Sequence, residues 1–171
     1  FIGGHPMTGS EKTGIANANA GLLENAYYII TPTAVTTEAT VQEFRDFVAS
    51  LGSIPLILDY RTHDHATAAI SHLPHMIAFS LVNLVQRIDD EQETMKTIAA
   101  GGFKDLTRIA SSSPEMWQNI CDSNRGPLLD LMEQYLKSMT ELRDTIKSGN
   151  RQALLDYFAN AREYRDSFTV R

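Results

Sequence analysis

The hydrophobic positions in the first third of the chain form two short runs separated by an amphipathic segment. Residues 27–31 and 54–58 are short and rich in β-forming side chains, so each predicts a strand, with Pro55 at a strand start or an edge. Between them, Thr37 predicts a helix cap, and apolar residues follow at helical spacing up to Gly52: Val41, Phe44, Val48 and Leu51. This order predicts a βαβ unit with parallel strands and a right-handed crossover. Such a pair needs further sheet beside it, and we expect that sheet to lie outside this sequence.

From about Arg61 onward the pattern is helical only. Residues 64–88 are apolar on almost every side, which predicts a buried central helix with a kink at Pro74. A shorter helix is expected over residues 91–100, ending at two glycines, and Ser113 before a proline predicts the next helix start. A seam of apolar residues at heptad spacing then predicts a long helix that needs a partner: Leu128, Met132, Tyr135, Met139, Leu142 and Ile146. A last amphipathic helix follows after Ser148-Gly149-Asn150.

Composition narrows the class of protein. The 171 residues are 43% hydrophobic and carry a formal net charge of −6, which argues against a nucleic-acid partner and an anionic membrane surface. The single cysteine, Cys121, excludes an internal disulfide and suits a reducing compartment. The most apolar segment is interrupted by Ser80 and Asn83, so no run is expected to reach the roughly 18 residues that span a bilayer. These features predict a cytoplasmic protein without a membrane partner.

The glycine-rich segment at residues 3–14 is the first candidate for chemistry. Gly4 and Gly9 have the spacing of a phosphate loop, but Ser10 stands where that motif needs a lysine, which excludes it. What remains is His5 at a strand end, followed by a proline. Imidazole titrates near neutral pH, so His5 can take a proton from a substrate hydroxyl. Spacing alone equally fits a solvated loop histidine.

Two further groups attract attention. The histidines at 63, 65, 72 and 75, with Asp64, invite a metal interpretation, but no pair has the i, i+4 spacing of a helical zinc site, and we predict no metal. Core histidines bonded to backbone or carboxylate fit the same pattern. Arg108, between a glycine pair and a serine-rich helix start, suits a carboxylate ligand because its planar fork matches two oxygens. A weak surface pair with Asp105 remains the alternative.

Taken together, three motifs resemble the prephenate dehydrogenase family, which includes arogenate dehydrogenases. The resemblance runs from Gly3 to about Ile120 in order and with the family's intervals. It rests on the segments His5-Pro6-Met7-Thr8-Gly9-Ser10-Glu11, His63-Asp64 with Ser71-His72-Leu73-Pro74-His75, and Gly102-Phe103-Lys104-Asp105-Leu106-Thr107-Arg108 with Pro114-Glu115-Met116-Trp117. Met7-Thr8 and Lys104 depart from the commoner family residues, and neither is a proposed catalytic group.

The resemblance implies a mainly α fold: an all-helical dimerisation domain preceded by the last βαβ portion of a truncated Rossmann-like domain. Residues 1–60 would be the remnant of the nucleotide-binding domain with the histidine loop, and residues 61–171 the helical dimerisation and substrate-binding domain. No G-x-G-x-x-G occurs in the sequence, so the pyrophosphate site is expected upstream of Phe1, and this chain alone is not expected to turn over.

The implied reaction is oxidative decarboxylation of prephenate, or of arogenate, with hydride transfer to NAD or NADP. His5 matches the family's catalytic histidine, Arg108 a carboxylate-binding arginine, and His75 a second histidine that is expected to suit a keto acid better than an ammonium. Further residues match the surroundings of the substrate: Ser10, Glu11, Asp64, Gly101 and Trp117. The resemblance also implies a homodimer. A non-catalytic helical dimerisation module is the rival interpretation, and such a module has no need of His5, His75 and Arg108 together.

Overall fold

A computed structural model describes residues 1–9 and 14–168. Its three strands form one sheet in the order β1-β2-β3: β1 is Gly3–Pro6, β2 is Tyr27–Thr31 and β3 is Ile54–Ile57. The strands β2 and β3 are parallel, as predicted. The expectation that no further sheet lies within this sequence is wrong, because β1 pairs antiparallel with the other edge of β2.

The pattern indicates a strand end at His5, but it does not predict that this strand pairs with β2, because glycine and proline are poor strand formers. The glycines are required by close packing. A Cβ on Gly3 would lie 2.2 Å from Oγ1 of Thr31, and one on Gly4 would lie 2.7 Å from the ring of Tyr28. This close pairing fixes the end of β1, where His5 stands opposite Ile29.

The helix α1, Glu38–Ser50, packs on β2 and β3. The Thr37 side chain accepts a hydrogen bond from the backbone N–H of Thr40, which confirms the predicted cap. The core beneath α1 contains Ile30 and Val48, both fully buried. Gly52 follows the helix with a φ of +78°, a conformation that favours glycine. The sheet and α1 therefore form a small packed layer that supports β1.

A long helical stretch comes next. The helix α2, Tyr60–Thr67, passes through a π-helical turn, Ala68–His72, into α3, Leu73–Ile88. The π turn ends two residues before Pro74, whose missing N–H and bulky ring disturb the preceding turn, and the predicted kink at Pro74 itself stays a prediction. The π turn lies among the residues that line the cavity described below.

The expectation that this stretch is buried is wrong for the single chain. Ile70 is 70% exposed and Ile88 is 54% exposed. The expectation that no segment is long and apolar enough to cross a membrane is also wrong, since the Tyr60–Ile88 stretch meets that criterion by length and composition. The helix begins before the apolar run, and Ser80 and Asn83 do not lower its mean hydropathy enough. A helix whose apolar face is covered by another protein surface satisfies the same criterion, so the finding is weak evidence for a membrane.

The next helices differ from the prediction at one boundary. The expected helix at 91–100 is reduced to α4, Thr94–Ile98, and the glycine pair begins α5, Gly101–Thr107, rather than ending α4. The cause is local. The carboxylates of Asp89 and Asp90 accept hydrogen bonds from the backbone N–H groups of residues 94–96, which delays the helix start. A 3₁₀ turn, Arg108–Ser111, follows α5.

The remaining helices are α6, Pro114–Ser123, α7, Arg125–Ser148, and α8, Arg151–Asp166. The predicted start at Ser113 is confirmed, because its side chain accepts from the backbone N–H of Met116. The mainly helical fold class with a small sheet is confirmed. The chain divides into two compact units, a first unit, Phe1–Leu128, and a second unit, Leu129–Arg171. These units reflect compactness and do not test the predicted domain boundary between residues 60 and 61, which stays a prediction.

Candidate active site

One cavity of about 490 Å³ in the first unit collects residues from four separate segments. The segments are the end of β1 with its following loop, the stretch from α2 to the start of α3, the 3₁₀ turn after α5, and α6. The cavity brings together four of the predicted site residues: His5, His75, Arg108 and Trp117. They are far apart in the sequence, and the fold alone makes them neighbours around one space.

His75 is held by its backbone and by an aromatic neighbour. Its ring stacks on Trp117 with the centroids 3.9 Å apart and the planes at 28°. Its Nδ1 lies 2.8 Å from the carbonyl oxygen of Ser71, which can only accept, so Nδ1 carries the proton. Trp117 is 6% exposed and also makes edge contacts with His72 and Phe79. The His75 ring is thus fixed in position and in tautomer.

His5 is bonded to a second histidine. Its Nδ1 lies 2.8 Å from Nε2 of His63, and Nδ1 of His63 lies 2.8 Å from Oδ1 of Asp64. Burial lowers the pKa of His5, and the adjacent His63 lowers it further. The pKa of His72 is also lowered, first by burial and then by the neighbouring histidines. His5 is therefore neutral at pH 7 and able to accept a proton.

Arg108 is the first residue of the 3₁₀ turn and lines the cavity. The preceding Thr107 is buried, and its hydroxyl donates to the carbonyl of Phe103 at 2.7 Å, which ties this turn to α5. Arg108 and His5 line the same cavity, so a permanent cation and a neutral base share its walls.

The other predicted site residues lie elsewhere. Asp64 lines a neighbouring cleft together with His5 and His63 rather than the cavity itself. Gly101 begins α5 and is not among the cavity-lining residues. Ser10 and Glu11 lie outside the described residues. Across residues 1–9 and 14–168, no group of three or more histidine, cysteine or acidic side chains is placed to hold a metal ion.

Sequence reasoning did not assign a role to His63, Thr67 or His72. His63 was visible only as one member of a histidine-rich stretch, and its adjacency to Asp64 was the available signal. Thr67, at the end of α2, and His72, at the end of the π turn, also line the cavity, and periodicity does not predict that turn. The Thr67 hydroxyl and the Trp117 indole N–H are buried without a hydrogen-bond partner in the described part of the chain.

Comparisons with known proteins show which family the chain resembles. Residues 59–160 match the family model described as prephenate dehydrogenase, dimerization domain, and residues 1–54 match the model described as prephenate dehydrogenase, nucleotide-binding domain. The chain is 37% identical over all 171 residues to a prephenate dehydrogenase of Bacillus subtilis and spans 46% of that protein. It is 31% identical over 166 residues to a cyclohexadienyl dehydrogenase of Zymomonas mobilis, covering 96% of the chain and 57% of the relative.

Solved structures show the same similarity. The prephenate dehydrogenase of Aquifex aeolicus, solved with hydroxyphenyl propionate and NAD⁺, superimposes with a TM-score of 0.91 at 31% identity, covering 96% of this chain and 58% of that one. The arogenate dehydrogenase of Synechocystis gives 0.87 at 29% identity, covering 99% and 62%. The chain spans about half the length of the curated relatives it matches first. Because the dimerization-domain model alone matches more than half of it, the chain belongs to the prephenate dehydrogenase family.

Proposed function

We propose that this chain supplies the substrate side of an enzyme that converts prephenate to 4-hydroxyphenylpyruvate by oxidative decarboxylation. The observation that carries the proposal is the placement of His5 and Arg108 around one cavity. The names of its relatives, prephenate and cyclohexadienyl dehydrogenases, support the same substrate class. A purely structural dimerisation module would not need a neutral base and a cation in one cavity.

The chemistry assigns each residue a part. As the hydride leaves C4 of prephenate, the C4 hydroxyl passes its proton to His5. The carboxylate on C1 leaves as CO₂, and its bonding electrons make the ring aromatic. The oxygen on C4 then regains a proton, so the reaction releases no net proton and His5 returns to its neutral form. Arg108 binds a substrate carboxylate, a charge-assisted contact worth roughly 1.5–3 kcal/mol.

NAD or NADP is the proposed hydride acceptor, because residues 1–54 match a nucleotide-binding domain. The residues present do not make the whole cofactor site. The sequence contains no G-x-G-x-x-G, so the glycine turn that normally cradles the pyrophosphate is not among them. The roles proposed for His5, His75 and Arg108 therefore concern contacts with the substrate and not with the cofactor.

Arogenate is the second candidate substrate, and one observation favours it. Because Nδ1 of His75 donates to the Ser71 carbonyl, a neutral His75 has only an acceptor left, on Nε2. An acceptor suits the ammonium group of arogenate, whereas the keto oxygen of prephenate requires a protonated His75. The expectation that His75 suits a keto acid therefore holds only for its imidazolium form.

We also propose that the family's dimer forms here as a homodimer. The region from residue 59 to residue 160 matches the dimerization domain. Large apolar side chains in that region are exposed in the single chain, including Leu136 at 63%, Ile146 at 58% and Phe158 at 53%. A cytoplasmic location remains a prediction from the sequence.

The proposed activity is tested in a polypeptide that joins this chain to a dinucleotide-binding half. Reduction of NAD or NADP and release of CO₂ are measured with prephenate and with arogenate. We expect one of the two to be turned over and Arg108→Ala to raise its KM about tenfold or more, as a lost charge-assisted contact implies. Arg87→Ala is the matched control, because Arg87 is exposed near the end of α3 and outside the cavity. Failure of both substrates, or an unchanged KM in Arg108→Ala, would contradict the assignment.

A further inference from the structure

The proposed reaction gives no part to one polar contact of the site, the contact between His5 and His63. The two rings meet nearly edge to face, with centroids 5.1 Å apart and planes at 74°. Their nitrogens are 2.8 Å apart, so this is a hydrogen bond rather than ring packing. One nitrogen must donate and the other must accept. The direction of this bond decides which nitrogen of His5 carries a proton.

The direction follows from Asp64. A carboxylate only accepts, so Nδ1 of His63 carries the proton in the 2.8 Å contact with Asp64. A neutral His63 then has its lone pair on Nε2, and that lone pair accepts from Nδ1–H of His5. His5 in turn keeps its own lone pair on Nε2. The chain of three residues thus sets the tautomer of His5.

We propose that His63, oriented by Asp64, is a positioning residue that presents Nε2 of His5 as the basic nitrogen to the substrate hydroxyl. The proposal rests on the proposed role of His5 and extends it to two residues that do not line the cavity. His63 touches neither the reacting hydroxyl nor the cavity. It acts through His5.

The surroundings suit such a device. The side chain of His63 is 16% exposed, so its bond to His5 is largely shielded from water, while that of Asp64 is 44% exposed. When His5 accepts a proton on Nε2, its Nδ1–H becomes the donor of a charged group and the bond to His63 strengthens. Since the reaction releases no net proton, the His63–Asp64 pair stabilises this transient charge and then returns His5 to the starting tautomer.

The test measures the tautomer directly. Two-bond ¹H–¹⁵N spectra of the 171-residue chain, labelled at histidine nitrogens and recorded near pH 7.5, distinguish Nδ1–H from Nε2–H imidazole, and loss of signals in His5→Asn assigns them. We expect the Nδ1–H form for both His5 and His63. In His63→Ala, His5 should lose the fixed tautomer. In His63→Gln, the side-chain carbonyl can still accept from His5, so the Nδ1–H form should be retained.

His65→Gln is the matched control, because His65 is exposed on the same helix, two residues away. It should leave the His5 signals unchanged. The Nε2–H form of His5 in the unaltered chain, or an unchanged His5 tautomer in His63→Ala, would overturn the proposal. The signals of the other histidines in the same spectrum show whether each variant is correctly folded, so a misfolded variant is not mistaken for either result.

A kinetic measurement separates this inference from the proposed function. In the joined polypeptide, His63→Ala should lower kcat by about tenfold or more with little change in KM, less than the roughly 10²–10⁴-fold expected for loss of the base itself. His63→Gln should restore most of the rate. If no substrate is turned over but the tautomers are as expected, the positioning stands and the reaction is wrong. If activity requires His5 but the spectra show Nε2–H, the reaction stands and the positioning is wrong.

Discussion

The two compact units both contain amphipathic helices, but they differ in how far their apolar side chains are buried. In the first unit, Phe1–Leu128, the buried apolar side chains surround the sheet and line the walls near the cavity, as Ile30, Val48 and Trp117 do. In the second unit, α8 has no buried residue, and large apolar side chains such as Leu136 and Phe158 are exposed. The first unit contains a buried core and the cavity, although Ile70 and Ile88 are exposed in it, whereas the second unit has no buried residue among those the structure describes and exposes apolar side chains that suit association.

This difference shows that helical periodicity alone does not say what covers an apolar face. The seam from Leu128 to Ile146 has regular heptad spacing, yet Leu128 is buried and Ile146 is 58% exposed. An exposed apolar surface of this extent normally marks an interface. The contrast predicts that substitutions in the first unit alter catalysis or intrinsic stability, and that substitutions in the second unit alter association.

The largest expected effect is on catalysis. In the joined polypeptide, His5→Asn should lower kcat by roughly 10²–10⁴-fold with a much smaller change in KM, because proton acceptance contributes in the transition state. Steady-state kinetics measures the effect, and sedimentation should show an unchanged assembly. His65→Asn, on the exposed side of α2, is the control. A near-normal kcat in His5→Asn would mean that the first unit does not supply the base.

The next effect is on stability within the first unit. Trp117→Ala should lower the free energy of unfolding by about 3–5 kcal/mol, because it removes a 6% exposed indole that stacks on His75. Urea unfolding should show this loss at every protein concentration. Phe158→Ala, in the second unit, should instead give a loss that is largest at high protein concentration and shrinks on dilution, as expected when a partner subunit covers the side chain. If the loss of unfolding free energy depended on protein concentration in both variants, the two units would not differ in the way proposed.

Association should respond to charge on the second unit. The double variant Leu136→Glu with Ile146→Glu should raise the dimer dissociation constant. We expect about 10- to 100-fold for each side chain that the partner covers, from roughly 1.5–3 kcal/mol per apolar group. Lys137→Glu, also exposed on α7, is the control for added negative charge. Sedimentation equilibrium measures the change. A single 19 kDa species for the unaltered chain at micromolar concentration would contradict the dimer.

The sequence predicted β2, α1, β3 and the start of α6 because each depends on local rules: β-forming runs, a threonine or serine cap, and a glycine after the helix. It failed where particular contacts, remote or local, decide the structure. Gly3 and Gly4 of β1 lie too close to Thr31 and Tyr28 for a Cβ, and α4 starts late because Asp89 and Asp90 accept hydrogen bonds from its first backbone N–H groups. These contacts leave no periodic trace in the sequence.

The candidate site was predicted in the same uneven way. His5, His75 and Arg108 were singled out by residue type, by local context and by the family resemblance. Their assembly around one cavity depends on the tertiary fold, which periodicity does not reveal. The role proposed for His63 depends on which nitrogen faces which partner, and that is readable only from geometry.

The smallest predicted effect is a pH dependence confined to the first unit. All five histidines lie between residues 5 and 75, and the second unit has none. Burial holds the folded-state pKa values of His5 and His72 below 6.5, so on acidification the unfolded chain takes up protons before the folded chain does. Stability is then complete above about pH 6.5 and is lost as the pH falls through the folded-state pKa values.

Hydrogen-exchange protection factors, compared between pH 7.5 and about 6, measure this effect without interference from most carboxylates, which titrate at lower pH. Amides of α6 should lose protection and those of α8 should not. His72→Asn should reduce the loss, because Asn124 Nδ2 donates to Nδ1 of His72 and so favours its neutral form. His65→Asn should leave the loss unchanged. Equal loss in α6 and α8, or greater protection at the lower pH, would mean that the histidines around the cavity do not hold their neutral forms in the folded chain.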